Sequence, residues 1–327
     1  MTTEVVSAEE QSAIDRAVAA LQAGEAIGLP TETVYGLAAD ALNTDAVLKI
    51  FEAKERPRFD PLIVHLPDAG WLDRLTDPSP VSKTLIASLT SSFWPGPLTL
   101  VLPRQAAVSD IVAAGLGTVA VRMSAHPVFQ RVVESFGRPL AAPSANRFGR
   151  ISPTTAEHVR SELDGRVPLI VDGGPTLHGL ESTIVAVRAG HIEILRHGPV
   201  TAEELGAFAD VRPAQLFAHP EAPGQLASHY APRTPLVLCT KLSDFALPAG
   251  TRAGALAFGP FTRTGFTEVR TLSPDSDLRE AAANLFRGLR ELDQLELDLI
   301  VAEEVPETGL GRAIMDRLRR AAALGGG

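Results

Sequence analysis

Hydrophobic positions up to residue 209 fall into two alternating patterns. Short apolar runs predict buried strands, whereas longer segments with apolar positions three or four residues apart predict helices. The predicted strands are Ala26–Leu29, Leu62–Leu66, Leu98–Leu102, Val119–Arg122, Leu169–Asp172, Thr183–Val187 and Ile192–Leu195. The predicted helices are one ending at Gly24, one beginning at Thr44, and three near Val81–Phe93, Pro127–Phe136 and Thr154–Leu163. Interleaved strands and helices predict an α/β fold, and the close spacing of the last two strands predicts an antiparallel hairpin, so the sheet should be mixed.

The alternation stops between Asp210 and Pro235, where five prolines and a lack of apolar periodicity indicate a linker. Beyond it, a smaller α/β unit is predicted, with strands at Leu236–Cys239, Ala253–Phe258 and Leu297–Ala302 and helices at Leu278–Leu292 and Gly311–Ala322. We therefore divide the chain into a first domain over residues 1–209, a linker over 210–235 and a second domain over 236–327. The last helix carries four arginines, which we expect on a solvated face: Arg312, Arg317, Arg319 and Arg320.

Composition narrows the class of protein. With 327 residues, 45% hydrophobic and 21% charged, the chain is typical of a globular protein large enough for two domains. Its formal net charge of −9 argues against a surface that binds nucleic acid throughout, although a local basic cleft stays open. Cys239 is the one cysteine, which excludes an internal disulfide and favours a reducing cytoplasm. We expect no signal peptide, because the first residues are acidic, and no apolar run reaches the roughly 20 residues that span a bilayer.

Polar side chains follow several of the predicted strands. Thr31–Tyr35 comes directly after an apolar strand and Pro30. Lys54 and Arg56 precede another strand in an extended segment and suit a polyphosphate. His65 lies within an apolar strand, where a core histidine is the more common role. Arg122 ends a strand and needs an anionic partner, for which a structural carboxylate and a ligand carboxylate are equally open.

Two further segments add hydroxyl, amide and carboxylate groups at strand ends. Ser144, Asn146 and Ser152 surround a turn, where capping is their alternative role. Glu181 and Ser182 precede the strand that begins at Thr183. We expect these strand ends to form one polar cleft at an edge of the sheet. The sequence contains no phosphate-binding GxxxxGK[ST] loop and no HExxH pair, so the residues alone predict an α/β protein that binds a small anionic, hydroxyl-bearing ligand.

The same segments carry a resemblance to a known family. PTETVYGL, KERPRFDPLIVH, FWPGPLT, VAVR, PSAN and GGPTLHGLESTIV resemble, in order and spacing, the motifs of the threonylcarbamoyl-AMP synthase family, which is built on the YrdC-like domain. APGQLASHYAP and GLGRAIMDRLRRAA resemble the linker and the end of the extra C-terminal domain in its long form. The resemblance implies a YrdC-like twisted, mixed, open sheet with flanking helices, followed by a smaller Rossmann-like α/β domain.

The resemblance also implies an activity. The family joins L-threonine, bicarbonate and ATP, with Mg²⁺, into threonylcarbamoyl-AMP and releases pyrophosphate. A partner transferase then uses the product to modify the tRNA adenosine beside the anticodon. By resemblance, L-threonine is bound by Thr33, His65, Arg122, Ala142 and Ser182. ATP is bound by Lys54, Arg56, Asp60, Thr118, Ser144, Asn146, Ser152, Arg196 and Tyr230, and Lys54 and Arg56 act in catalysis.

Some features depart from the family pattern or leave alternatives. Asp60 stands where the family usually has Asn, which adds a negative charge that Mg²⁺ or a neighbouring arginine such as Arg58 must neutralise. In the linker, His229 and Tyr230 are the residues best suited to reach ATP, as part of a lid or, alternatively, of a passive spacer. Other activities of related domains are double-stranded-RNA binding and carbamoyl transfer. The net negative charge disfavours double-stranded-RNA binding and also direct tRNA binding. The lack of acylphosphatase-like and zinc-finger segments disfavours carbamoyl transfer.

Overall fold

The structure is a computed structural model that describes residues 2–188, 190–214, 222–223, 230–262 and 265–323. The first part of the chain contains eleven strands: β1 Glu4–Ser7, β2 Ile27–Leu29, β3 Gly36–Asp40, β4 Ile63–His65, β5 Leu98–Pro103, β6 Thr118–Arg122, β7 Leu140–Ala141, β8 Leu169–Asp172, β9 Thr183–Arg188, β10 His191–Arg196 and β11 Asp210–Pro213. Its helices are α1 Ala13–Gln22, α2 Thr44–Lys54, α3 Leu72–Leu75, α4 Pro80–Phe93, α5 Asp110–Ala113, α6 Pro127–Phe136, α7 Ala156–Leu163 and α8 Ala202–Leu205.

These strands form one sheet in the order β1-β8-β2-β3-β7-β4-β6-β5-β9-β10-β11. Parallel pairs such as β4 with β6 occur beside antiparallel pairs such as β5 with β6 and β9 with β10. The predicted mixed sheet and hairpin are therefore confirmed. Strand β11 was not predicted: it pairs with β10 and extends the sheet into the segment assigned to the linker.

Helices cover both faces of this sheet. On one face, α2, α4, α5 and α7 pack into a core that contains Ile50, Leu89 and Val112. On the other face, α1 and α6 pack over Leu29 and Val171. Because strands covered on both faces are buried throughout, they appear in the sequence as continuous apolar runs, which explains why the pattern identified most of them.

The second part of the chain forms a separate sheet. Its strands β12 Leu236–Cys239, β13 Ala253–Ala257, β14 Glu268–Thr271 and β15 Leu299–Glu303 are all parallel, in the order β12-β15-β13-β14. Helices α9 Leu278–Asp293 and α10 Gly311–Ala322 pack beside it. A small parallel sheet with helices confirms the Rossmann-like α/β prediction; only β14, short and partly exposed, was not predicted.

The two parts share a hydrophobic core. Leu180 and Val34 of the first part pack in the same buried cluster as Leu285 and Leu318 of the second. Gly179 makes this approach possible, because a Cβ at that position would lie 2.6 Å from the Cα of Ala283 in α9. Its φ of +66° also favours glycine. Helix α9 is thus held against the segment that leads into Glu181 and Ser182.

No helix in the described ranges has the length and apolar character required to cross a membrane.

Candidate functional site

One cavity collects most of the side chains that the sequence singled out. It lies where strands β4 and β6 end, at the register pair His65 and Arg122. Nine of the residues expected to bind threonine or ATP line it: Thr33, Arg56, His65, Arg122, Ala142, Ser144, Ser182, Arg196 and Tyr230. The polar strand ends, which are far apart in sequence, therefore meet in one place.

Five of the expected residues do not line this cavity. Seen from the cavity, the side chains of Lys54 and Asn146 lie behind the backbone of the Pro143–Asn146 turn. The Asp60 side chain lies behind Arg56, and the Ser152 side chain lies behind Glu181. Thr118 lies at the start of β6, whereas Arg122 lies at its end, so the strand separates Thr118 from the cavity. The roles of these residues stay predictions.

The Lys54 ammonium holds the turn that carries Ser144. Its Nζ donates hydrogen bonds to the backbone carbonyl oxygens of Ser144 and Asn146, and the side chain is buried. Burial, and next the charge of Arg56, lower the pKa of Lys54 well below its usual value. The Asn146 side chain in turn donates to the carbonyl oxygens of Arg147 and Arg150. These contacts fix the backbone of one wall of the cavity.

Arg122 has a protein carboxylate as its partner. Its Nη2 donates to Oε1 of Glu32 at 2.6 Å, and its Nη1 donates to Oγ1 of Thr33 at 3.1 Å. Burial raises the pKa of the Glu32 carboxyl, but the charge of Arg122 and a hydrogen bond from Ser124 outweigh burial and hold it at about 2. Within the described residues, the Nε of Arg122 has no hydrogen-bond partner. The sequence left open whether the partner of Arg122 is a structural carboxylate or a ligand carboxylate. The structure supplies Glu32 as a structural partner, and the Nε of Arg122 remains as a donor for a ligand.

His65 combines the two roles that the sequence left open. Its ring packs against Phe129 in the core, with 4.6 Å between ring centroids, and it also lines the cavity. Burial, and next the charge of Arg122, lower its pKa to about 3, so the imidazole is neutral at pH 7. Its Nδ1 has no hydrogen-bond partner in the part of the chain that is described.

Arg196 is bound by neutral acceptors. Its Nε and Nη2 donate to the carbonyl oxygen of Ser182 at 3.1 and 3.0 Å, and its Nη1 donates to the carbonyl oxygen of Pro223 at 3.3 Å. The Ser182 hydroxyl, which accepts from Nη2, also shares a hydrogen bond with the Thr99 hydroxyl. Across the described ranges, no carboxylate forms an ion pair with Arg196. Since burying an uncompensated cation is costly, this guanidinium favours an anionic ligand.

Arg56, not the exposed Arg58, neutralises the unusual Asp60. The Nη2 of Arg56 lies 2.9 Å from Oδ2 of Asp60, and both side chains are buried. The guanidinium also donates to the carbonyl oxygen of Pro61 at 2.8 Å. Burial raises the pKa of Asp60, although the nearby charge of Arg56 opposes this effect. The sequence suggested Mg²⁺ or a neighbouring arginine such as Arg58, and the structure supplies a neighbouring arginine, which is Arg56 and not Arg58.

Sequence reasoning missed Arg317, a buried arginine of the second part of the chain that contacts the cavity-lining Glu181. Glu181 lines the cavity and accepts hydrogen bonds from Ser152 and from Arg317 of α10. The Arg317 guanidinium lies 5.2 Å from the centre of the Tyr230 ring. Arg317 is fully buried, so the expectation of a solvated face was wrong for this residue. His229, the other linker residue expected near ATP, lies outside the described residues.

The cavity can therefore bind an anion among buried arginine side chains. Arg56 and Arg122 are each paired with a carboxylate, whereas Arg196 has only neutral hydrogen-bond acceptors among the described residues, with Glu181 as a nearby carboxylate that forms no ion pair with it. The fold and this cavity define a two-part α/β protein that binds a small anionic ligand, with a buried, arginine-rich site at the strand ends.

Comparisons with known proteins identify the family. A family model named Sua5/YciO/YrdC, with the description telomere recombination, matches residues 19–198. A second model, the threonylcarbamoyl-AMP synthase C-terminal domain, matches residues 200–323. The chain belongs to the threonylcarbamoyl-AMP synthase family, in the form that has this C-terminal domain.

Individual relatives match over nearly the full length. The threonylcarbamoyl-AMP synthase of Bacillus subtilis is 43% identical over 94% of this chain and 92% of its own. That of Pyrococcus abyssi is 38% identical over 92% of this chain and 91% of its own. The crystal structure of P. abyssi Sua5 complexed with L-threonine is similar with a TM-score of 0.88 and 36% identity, covering 99% of this chain and 98% of that one.

Proposed function

We propose that this protein synthesises threonylcarbamoyl-AMP from L-threonine, bicarbonate or CO₂, and ATP, with release of pyrophosphate. The observation that carries the proposal is the cavity, in which, among the described residues, Arg196 has only neutral hydrogen-bond acceptors and the Nε of Arg122 has no acceptor. A triphosphate and an amino-acid carboxylate are anions that such groups bind. The match to synthases over most of the chain supports the same activity rather than double-stranded-RNA binding.

The reaction proceeds in two balanced steps. The amine of L-threonine reacts with bicarbonate to give a carbamate and water. A carbamate oxygen then attacks the α-phosphorus of ATP in line, and the bond to the departing pyrophosphate breaks. Since no protein nucleophile is needed, catalysis rests on positioning and on compensation of charge. A buried cavity also keeps water away from the labile carbamate.

We assign the threonine subsite to the end where β4 and β6 meet. Arg122 would bind the substrate carboxylate, and Thr33, His65, Ala142 and Ser182 would surround the rest of the molecule. Because His65 is neutral, it adds no second positive charge, and its ring can accept or donate a single hydrogen bond. The small side chain of Ala142 leaves space at this end of the cavity.

We assign the nucleotide subsite to the Arg56, Arg196 and Tyr230 side of the cavity. Ser144 lines it as well, and Lys54, Asp60, Asn146 and Ser152 support it from behind. Lys54 and Arg56 are the groups proposed to compensate charge during catalysis, and Thr118 would require a part of ATP that extends beyond the cavity. Tyr230 and Pro223 line the cavity from the linker, which supports a lid over ATP.

Mg²⁺ is proposed to enter with ATP as its counter-ion. The carboxylates around the cavity do not fit a metal held by the protein, because the described residues contain no group of three His, Cys, Asp or Glu side chains that could hold one, and each carboxylate has an arginine beside it: Arg122 beside Glu32, Arg56 beside Asp60 and Arg317 beside Glu181. We therefore derive no catalytic step through a bound metal ion.

We further propose that the product passes to a tRNA threonylcarbamoyl transferase, which modifies the adenosine beside the anticodon. We propose the cytoplasm as the location of the protein, because ATP and tRNA are both present there. The net charge of −9 disfavours direct tRNA binding by the synthase itself.

The test is pyrophosphate release by the purified protein with L-threonine, bicarbonate and ATP, each omitted in turn. We expect release only when all three are present, and Arg196→Ala should strongly reduce it. Arg16→Ala, a change on the surface of α1, serves as the matched control and should behave as wild type. ATP turnover that is the same with and without L-threonine would refute the proposed function.

A further inference from the structure

Arg317 is a buried cation that the proposed chemistry does not use. It has no exposed surface, although its neighbours on α10 include the half-exposed Arg319. Its Nε donates to Oε2 of Glu181 at 2.9 Å, and its Nη1 donates to Oδ2 of Asp316 at 2.8 Å. A fully buried arginine with two carboxylates is costly to assemble for stability alone, because apolar residues of similar volume often replace such groups without loss.

Arg317 contacts two side chains that line the cavity, Glu181 and Tyr230. Glu181 lines the cavity and accepts a hydrogen bond from Ser152 through its other oxygen. Tyr230 lines it as well, and the Arg317 guanidinium lies over its ring at 5.2 Å. One residue of the second domain therefore contacts two walls of a cavity in the first.

The position of Tyr230 depends on the same domain. Its ring stacks on Phe286 of α9, with 5.5 Å between centroids and 29° between planes. Its backbone adopts a left-handed conformation with φ of +66°, and the next residue, Ala231, donates a hydrogen bond to the carbonyl oxygen of Gly149. Arg317 and Phe286 thus hold the tyrosine from two sides at the point where the linker reaches the cavity.

We propose that Arg317 is a positioning residue for the nucleotide side of the cavity, acting through Glu181 and Tyr230. This inference deepens the proposed function and rests on it for the identity of the nucleotide, ATP. It gives the second domain a defined task, which is to set the orientation of one carboxylate and one aromatic ring against the bound nucleotide. The threonine end, built around Arg122 and His65, has no contact with Arg317 among the described residues.

The test separates the two ends of the cavity by measuring ATP and L-threonine binding independently, together with the KM for ATP in the pyrophosphate assay. Arg317→Met keeps the length of the side chain and removes the fork and the charge. We expect it to weaken ATP binding at least tenfold and to raise the KM for ATP in step, while the Kd for L-threonine stays within about twofold. Arg319→Met is the matched control, since it makes the same change two residues further along α10 at an exposed ion pair with Glu307.

A second variant addresses the carboxylate that Arg317→Met leaves buried. Arg317→Met combined with Glu181→Gln removes both charges of this pair, and Asp316 keeps its ion pair with Arg320, so the double variant should recover stability while ATP binding stays weak. Arg317→Lys, which keeps the charge without the planar fork, should fall between wild type and Arg317→Met in ATP affinity.

Each outcome decides the question. If ATP and L-threonine binding fell together in Arg317→Met and in the double variant, Arg317 would serve the fold and the inference would be overturned. Unchanged ATP affinity in folded Arg317→Met would also overturn it, while synthesis by the wild type would leave the proposed function intact. If the wild type bound ATP but formed no product, the proposed function would fail and the ATP affinities would still test Arg317. A wild type that bound no ATP would overturn both.

Discussion

The Arg122–Glu32 pair allows a prediction in which stability and ligand binding separate. Removing Arg122 alone leaves the Glu32 carboxylate, 6% exposed, without the guanidinium that compensates it. Breaking a buried ion pair in this way costs ~3–5 kcal/mol of unfolding free energy. A domain of ordinary stability, ~5–15 kcal/mol, can absorb that loss and remain folded. Arg122→Met should therefore be folded but clearly destabilised.

Removing both charges should reverse most of the stability loss. In Arg122→Met combined with Glu32→Gln, no unpaired charge remains, and such replacements are often neutral in stability. The coupling energy of the cycle, measured by urea unfolding, should thus be ~3 kcal/mol or more. The exposed pair Arg16 and Glu4 is the control cycle and should give a coupling energy of ~0–1 kcal/mol.

Threonine binding should follow a different order. Both variants that lack Arg122 should bind L-threonine ~2–4 kcal/mol more weakly by calorimetry, because the substrate carboxylate loses its partner. Glu32→Gln keeps Arg122 and frees a second donor of its guanidinium, so it should bind L-threonine at least as tightly as wild type. If the folded double variant bound L-threonine within twofold of wild type, Arg122 would not be the carboxylate partner and the assignment would fall.

Three further predictions concern other parts of the cavity. Asp60→Asn should bind ATP at least as tightly as wild type without metal, because Arg56 then lacks its carboxylate; a large loss of metal-free affinity in calorimetry would contradict this. Burial holds the pKa of His65 at about 3 in the folded protein, against 6.5 for the free group. The unfolded chain therefore binds the proton first, and this contribution to stability is complete above pH 6.5 and lost as pH falls towards 3. His65→Gln should remove that part of the slope, up to about 1.4 kcal/mol per pH unit, and an unchanged slope in urea unfolding between pH 6.5 and 4 would be the contrary result. Tyr230→Ala, and a chain cut after Ala214 that keeps β11, should both retain weak threonine binding with little pyrophosphate release, and full activity in the cut chain would exclude a catalytic role for the linker and second domain.

The parts of the fold that sequence could predict are those in which local pattern and burial coincide. Strands such as Leu98–Pro103 are mainly apolar because helices cover both faces, and the pattern identified them. Strand Gly36–Asp40 is equally buried but consists mainly of glycine, alanine and one leucine, which lack the β-branched signature of a strand. Strand Asp210–Pro213 is mostly exposed and lies in a proline-rich segment, so its sequence resembles a linker.

The same reasoning explains what was missed in the cavity. Arg122 could be expected at the cavity because it ends an apolar strand, whereas the pattern favoured a core role for His65 and only the resemblance assigned it to the site; the pairing of the two strands is visible only in the structure. The pairs of Arg122 with Glu32 and of Arg317 with Glu181 join residues 90 and 136 positions apart, which no local pattern encodes. For Arg317 a partial signal existed: Ala313 and Ala321, one helical turn before and after it, are small apolar residues on the same buried face of α10.

The arrangement of charge around the cavity follows a single physical logic. Three buried carboxylate–arginine pairs surround it: Arg56–Asp60, Arg122–Glu32 and Arg317–Glu181. Such pairs add little net stability. Their contribution is to hold each guanidinium charged and in a fixed position before a ligand binds. A preorganised guanidinium does not have to reorient as charge moves from the carbamate to the phosphorus, which is the condition under which electrostatic stabilisation lowers a barrier. Arg196 is held by carbonyl oxygens instead and forms no ion pair with a carboxylate in the part of the chain that the structure describes. A cavity with these three neutralised pairs and two basic side chains held by carbonyl oxygens, Arg196 and Lys54, can attract a polyphosphate without holding it so tightly that pyrophosphate could not leave.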